Sequence, residues 1–389
     1  MKTLGFLLIL MCLMPKPAWS SKAREKALQT DQFPVPLAPA HDEDKKGFRL
    51  IEQKDPKLPL QNLKLPEGAS ISIFAVAPEA RSLTLGEKGQ IFVGTRGSRV
   101  YRIWDPNLDG KADSVEVLFD NLKDPNGVAY KDDTLYIGEI PRILKVPRVN
   151  ERKPSELKFE VLPQKFPSES HHGWKFIHFG PDGWLYVPVG APCNICDPGF
   201  EYARLFRIDV SSNKKEEIAQ GIRNTVGFDW DPKSKELWFT DNGRDYLGDD
   251  APPDEINKVT KKSEHFGFPF CHGKDIQDPE FKKPCTNFTP PQANLAAHVA
   301  ALGLRFRGEW IYFAEHGSWN RSVPQGYRIG RAKVAGGRLQ DLNEAWIEGW
   351  LVKGQAWGRP VDVQPYFDGS LLISDDLNGV IYRVQGLIP

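Results

Sequence analysis

Val226–Gly243 reads VGFDWDPKSKELWFTDNG and, past an acidic loop, Asp254–Val259 reads DEINKV. An apolar run breaks at a turn rich in Asp, Pro and Ser, resumes as LWFT, and ends on acidic and small residues. A third run follows after the loop. The same grammar recurs five more times. Ser82–Asp105 is SLTLGEKGQIFVGTRGSRVYRIWD, and Asn126–Val146 is NGVAYKDDTLYIGEIPRILKV. Trp174–Gly190 (WKFIHFGPDGWLYVPVG) continues in Ala203–Asp209 (ARLFRID), and Leu302–Gly317 (LGLRFRGEWIYFAEHG) in Gly326–Val334 (GYRIGRAKV). Arg359–Val384 is RPVDVQPYFDGSLLISDDLNGVIYRV. Copies at intervals of roughly 40 to 70 residues are the mark of a repeat architecture. Six of them predict an all-β chain folded as a six-bladed β-propeller, rather than a β-sandwich whose strands resemble one another by chance.

The composition agrees. The chain has 389 residues, 34 Gly and 11 Trp, and 51 basic against 51 acidic side chains. A balanced charge argues against a nucleic-acid partner, which needs a basic excess. The first residues have the form of an export signal: Lys2, an apolar run Leu4–Met14, and Ala18-Trp19-Ser20. That run is too short to span a bilayer. We therefore expect a signal peptide at residues 1–20, an extended Pro-rich arm at 21–65, and a propeller over 66–389, in a periplasmic or secreted protein without a membrane span. Beyond Cys12, which lies inside the leader, the cysteines are Cys193, Cys196, Cys271 and Cys285. In an exported protein an even number favours disulfides. A Cys271–Cys285 bridge closing a loop is expected. Cys193–Cys196 is left open, since so short a bridge is strained.

Propeller loops gather at one end of the central channel, so residues distant in sequence share a pocket. His171-His172 precede the inner strand of the third unit and offer an imidazole as general base; a packed or surface histidine is the bland reading. Arg223-Asn224 suit the carboxylates or carbonyls of a ligand, or else an interblade ion pair. Gly243-Arg244 open the acidic loop NGRDYLGDDAPPDEIN, where main-chain oxygens would suit calcium, supported by Asp249, Asp250, Asp254 and Glu255. Asn320 and Arg321 in GSWNRS, and Arg359 in WGRP, would bring two more arginines to the same mouth, a charge pattern for a polycarboxylate. Asp105–Glu116, DPNLDGKADSVE, matches the calcium-loop pattern, with Asp105, Asn107 and Asp109 as possible ligands of a structural calcium.

With these residues in hand, the chain resembles the soluble PQQ-dependent sugar dehydrogenases, and more closely their aldose sugar dehydrogenase and sorbosone-dehydrogenase-like branch. The resemblance covers roughly residues 65–388 and is carried by HHGWKFIHFGPDGWLYVPVGAPCNIC, GIRNTVGFDW, NGRDYLGDDAPPDEIN, EHGSWNRS and GRPV. It implies a six-bladed propeller binding PQQ and Ca2+ at the channel mouth, a sugar substrate, and an external electron acceptor. His172, chosen over His171 by counting back from Gly180-Pro181-Asp182, resembles the family's base. Arg223 and Asn224 match its quinone contacts. Gly243 and Arg244 match the positions whose carbonyls hold calcium, although the glucose-oxidising members usually carry Pro at the second. Asn320, Arg321 and Arg359 fall where basic residues hold the cofactor. Two alternatives remain at this stage: a propeller lactonase with calcium on the channel axis, and a propeller that binds without catalysis.

Overall fold

The computed structural model describes residues 50–54 and 56–387; the expected leader and the first part of the arm lie outside them. Five four-stranded antiparallel sheets and one five-stranded sheet form the six blades, and no α-helix occurs among the described residues. Their inner strands are Ala80–Leu85 (blade 1), Gly127–Lys131 (blade 2), His178–Phe179 (blade 3), Phe228–Trp230 (blade 4), Ala301–Arg307 (blade 5) and Pro360–Pro365 (blade 6). The six-bladed propeller read from the repeats is the fold of this chain.

Alternation along each strand builds the core. In the second strand of blade 1, Ile91 and Val93 pack toward blade 6 while Phe92 packs toward blade 2. In blade 4, Leu237 and Phe239 face blade 3 and Trp238 faces blade 5. A hydrophobic cluster fills each of the six junctions between neighbouring blades. Both faces of a blade are thus covered, and the strands read as nearly continuous apolar runs.

The repeats show three strands, whereas five blades have four and blade 3 has five, its fourth strand pairing in parallel with Glu264–His265. The outer strands are partly wet, such as Lys214–Gln220, whose first two residues are exposed, and Arg338–Ile347, mostly exposed. Blade 6 takes its fourth strand from the other end of the chain: Ser70–Val76 pairs antiparallel with Val380–Gln385. The described part of the arm is docked and carries a short 3-10 turn at Leu60–Asn62. Leu50 bridges to Glu116, the Gln53 side chain bonds both backbone groups of Val76 (2.8 and 3.1 Å), and Leu58, Leu60 and Leu65 join the blade 5/6 cluster.

The channel is not an open bore. Arg305 leaves the inner strand of blade 5 and donates to Leu83 O of blade 1 (3.2 Å), to Asp362 Oδ2 (3.2 Å) and Gln364 Oε1 (3.2 Å) of blade 6, and to Phe228 O of blade 4 (3.5 Å). Its guanidinium also stands 4.6 Å from the Phe176 ring centroid of blade 3. One buried cation therefore touches five of the six blades, a position only the axis provides.

The expected calcium loop Asp105–Glu116 is corrected by its geometry. Glu116 lies on a strand and takes Arg102 Nε at 2.6 Å, while Asp105 is buried and accepts Tyr366 Oη at 3.2 Å. The Asn107 and Asp109 carbonyl and carboxylate oxygens accept the N–H groups of Asp109 and Lys111 in local turns. The pattern is met in sequence, but the twelfth-position carboxylate is drawn away by an arginine, and no group of three or more His, Cys, Asp or Glu side chains placed to hold a metal forms among the described residues.

Candidate active site at the channel mouth

One residue from each blade floors the mouth. Trp174, Val226, Leu302 and Val361 pack together from blades 3 to 6. Arg81 of blade 1 completes the ring, donating to Asn126 Oδ1 of blade 2 at 2.7 Å and standing 5.9 Å from the Trp174 ring.

His172, two residues before Trp174, is half-buried and in left-handed backbone (φ 50°). A non-glycine residue held there is a strained position of the kind that clusters at functional sites. Gly190 makes room for it: a Cβ at 190 would lie 2.6 Å from His172 Cβ and 2.8 Å from its carbonyl oxygen. Gly190→Ala is therefore expected to shift the histidine and to cost about 1–3 kcal/mol in denaturant unfolding. His172 Nδ1 lies 2.8 Å from Ala191 O. A carbonyl only accepts, so Nδ1 carries the proton and Nε2 keeps its lone pair. Burial, then the Arg223 guanidinium, then His171 hold the His172 pKa well below the usual histidine value. The ring is a neutral base. His171 is exposed and lies tilted against it, 4.0 Å between centroids.

Arg223 is buried and immobilised. Its Nε and Nη2 donate to Asn194 O (2.9 Å) and Asn194 Oδ1 (2.8 Å), Nη1 to Asn242 O (3.3 Å), and Nη2 also to Asp245 Oδ2 (3.2 Å). The backbone N–H groups of Arg223 and Asn224 both end on the Asp241 carboxylate, at 2.9 and 2.7 Å, and Asn224 Nδ2 reaches Asn242 Oδ1 at 3.1 Å. Asn320 joins this group through Asp245, its Nδ2 donating to Oδ1 at 2.7 Å. Gly243 N–H is held by Asp254 at 2.8 Å, and a Cβ there would lie 2.7 Å from Pro253 O. The Arg244 side chain turns away and is buried, bonded to Asp278 (2.6 Å) and Glu280 (3.1 Å). The position read as a loose match to proline is thus an anchored arginine.

The three arginines expected to converge do not form one cluster. Arg321 pairs with the outer loop, donating to Asp249 O and to the exposed Asp250 (3.0 Å). Arg359 belongs to another group, where Asp376 takes Arg359 Nε (2.8 Å), Arg81 Nη1 (2.6 Å) and His316 Nε2 (3.0 Å). Burial opposes the charge on Asp376, yet His316, Arg81 and Arg359 together hold its carboxyl well below the ordinary range. Each arginine went to its nearest carboxylate, a choice that motif spacing does not reveal. The four carboxylates expected to support the loop also divide. Asp249 is tied to Ser322 at its rim, while Asp254 and Glu255 are buried in a blade 4 strand. Glu255 lies in register with Asp241, and burial raises both, with Asp241 raising Glu255 further.

Sequence reasoning passed over Asn194, Asp245, Arg81, His316 and Asp376. Asn194 stands between Cys193 and Cys196, which are disulfide-bonded, as are Cys271 and Cys285. The CNIC spacing was the available signal for Asn194, since a short closed loop holds the residues inside it.

Two buried polar atoms at the mouth have no partner among the described residues, Trp174 Nε1 and Asn320 Oδ1. Groups left this way in a cleft fit a polar ligand bound between them. No described donor engages the Gly243 or Arg244 carbonyl, so both oxygens suit a hard cation.

The fold and the mouth define a six-bladed propeller with an arginine- and histidine-bearing candidate site at the channel mouth. Residues 56–283 match the domain of unknown function DUF7133, and the chain belongs to that family. It is 36% identical over 349 residues to an uncharacterized protein of Borreliella burgdorferi, covering 83% of this chain and 90% of the relative. Among solved structures, the calcium structure of the Trichoderma reesei AA12 carbohydrate-active enzyme superposes with a TM-score of 0.72 at 18% identity, over 84% of this chain and 97% of that one. The holo PQQ domain of Coprinopsis cinerea pyranose dehydrogenase gives 0.68 at 18% identity, over 85% and 98%. At that identity the likeness is one of fold. No helix of the described residues is long and apolar enough to cross a membrane.

Proposed function

We propose that this chain is a PQQ- and calcium-dependent dehydrogenase that oxidises an aldose or a related sugar aldehyde, acting in the periplasm or outside the cell. The observation that carries the reading is His172, whose Nδ1–H is committed to Ala191 O so that a neutral Nε2 stands free as a base beside the buried Arg223. The resemblance in sequence, the propeller neighbours named above and the two disulfides support it.

The residues present fit both groups. Gly243 and Arg244 would offer carbonyl oxygens to calcium; Arg223 and Asn224 would flank the quinone, with Asn320 and Trp174 as further contacts. Bound there, PQQ would supply the acceptor for the hydride lost by the sugar carbon, and calcium the Lewis acid that polarises the acceptor carbonyl. His172 Nε2 would take the proton of the hydroxyl on that carbon. The Ala191 carbonyl would then steady the imidazolium that forms, since Nδ1 already points to it. Arg223, anchored by Asn194 and Asp245, keeps its charge fixed and pays no reorganisation during the step.

The lactonase alternative needs a cation on the channel axis. That place belongs to Arg305, whose positive charge repels a calcium ion. A binding module without catalysis is separated from an enzyme by assay. Purified mature protein is expected to reduce an artificial dye with aldoses or sorbosone only when both PQQ and calcium are added. The depressed His172 pKa also has a sign: the base loses its lone pair only when pH falls through the folded value. The acid limb of kcat should therefore lie below the ordinary histidine value of about 6.5. No turnover and no bound quinone spectrum after reconstitution would sink the reading.

A further inference from the structure

Gly243–Asp245 is gripped from two sides by two different disulfide-closed loops. On one side, Asn194 lies within the Cys193–Cys196 bridge. Its Oδ1 accepts the Asp245 N–H at 2.7 Å, and its Nδ2 donates to Asp245 O at 3.2 Å. The same side chain and its carbonyl also hold Arg223. On the other side, Asp278 lies within the loop closed by Cys271–Cys285 and is fully buried. Its Oδ2 takes Arg244 Nη1 at 2.6 Å and His272 Nε2 at 2.9 Å. Its Oδ1 accepts the N–H groups of Glu280 and Phe281 at 2.7 and 3.0 Å, which fixes the carboxylate itself. Three successive residues are thus held by three separate anchors: Gly243 through its N–H, Arg244 through its side chain, Asp245 through its peptide. The Gly243 and Arg244 carbonyls lie between the anchored atoms and are left without a described donor.

We propose that Asn194 and Asp278 are positioning residues, and that the two disulfide loops form a clamp that fixes the direction of the Gly243 and Arg244 carbonyls. A hard cation needs oxygens at set distances, and supporting groups behind its ligands commonly change metal affinity by about 10–100-fold. The consequence for calcium rests on the function proposed above. The clamp does not.

Two measurements keep them apart. The first is amide hydrogen exchange of Gly243, Arg244 and Asp245 in the full chain without additives. It compares wild type with Asn194→Ala, Asp278→Asn and the double variant Cys193→Ser/Cys196→Ser. At least tenfold faster exchange there, with Trp238–Thr240 amides unchanged, is the expected result. Exchange that stays at the wild-type rate in all three overturns the clamp. Asp278→Asn leaves the buried Arg244 only the exposed Glu280 carboxylate; should it fail to fold, the Asn194 and cysteine variants act on the opposite loop and still decide the matter. The second is calcium titration of PQQ-reconstituted protein by calorimetry and by the quinone absorption spectrum, where the variants should bind calcium about 10–100-fold more weakly. Faster exchange together with unaltered calcium affinity overturns the positioning role. Faster exchange in a protein whose wild type takes up neither quinone nor calcium supports the clamp and rejects the dehydrogenase reading.

Discussion

His172→Asn should lower the turnover of sugar oxidation by about 10²- to 10⁴-fold, the usual worth of a positioned general base. Asparagine is chosen because it tolerates the left-handed backbone at 172 better than most residues and can still donate to Ala191 O. It lacks only the basic nitrogen. The fold should therefore survive, and quinone uptake, followed by absorbance, should stay close to wild type. His171→Asn is the matched control: that side chain is exposed, and its loss should change turnover only a few-fold. If the two variants are equally slow, His172 is not the base; if His171→Asn alone is slow, the assignment belongs to its neighbour.

The second large effect concerns stability. Arg305→Met should destabilise the propeller by about 3–5 kcal/mol, the cost of leaving a buried charge without its partner. Asp362 is that partner. It is buried, and burial already raises its pKa although Arg305 lowers it. Without the guanidinium the folded-state value rises further above that of the unfolded chain. Between those two values the unfolded chain binds fewer protons than the folded one, so stability falls as pH increases. The penalty of Arg305→Met should accordingly be larger at pH 8 than at pH 5. Adding Asp362→Asn should recover part of the loss, since a neutral amide costs less to bury than an unpaired carboxylate. Denaturant unfolding of the four species as a double-mutant cycle measures the coupling, and additive effects would refute the pairing.

How much of this was legible in the sequence follows from where each interaction lies. Blade number was readable because adjacent residues such as Ile91 and Phe92 pack into opposite junctions, leaving an apolar signal of full strength. The outer strands were not, because they are partly wet. His172, Arg223 and Gly243 were readable as local motifs. Their supports were not, because Asn194 and Asp278 reach the site across 51 and 34 residues of chain. Arg305 did leave a trace, as a charged residue inside the apolar run LGLRFR, and Asp362 another, inside VDV. Charges in otherwise apolar inner strands have only the axis in which to meet. The Asp105–Glu116 loop shows the converse: a full motif match whose last acidic residue was claimed by Arg102.

The ring is sealed where Ser70–Val76 meets Val380–Gln385. These two segments are separated by nearly the whole propeller, so blade 6 cannot be completed until the last strand has been made and has found the first. Early blades are able to fold as they emerge, but the circle shuts only when Val380–Gln385 reaches Ser70–Val76. A ribosome-bound or truncated product ending before Val380 therefore exposes two unpaired sheet edges at once, its own and that of Ser70–Val76. Closure of the propeller and burial of its stickiest edges are, in this architecture, the same event.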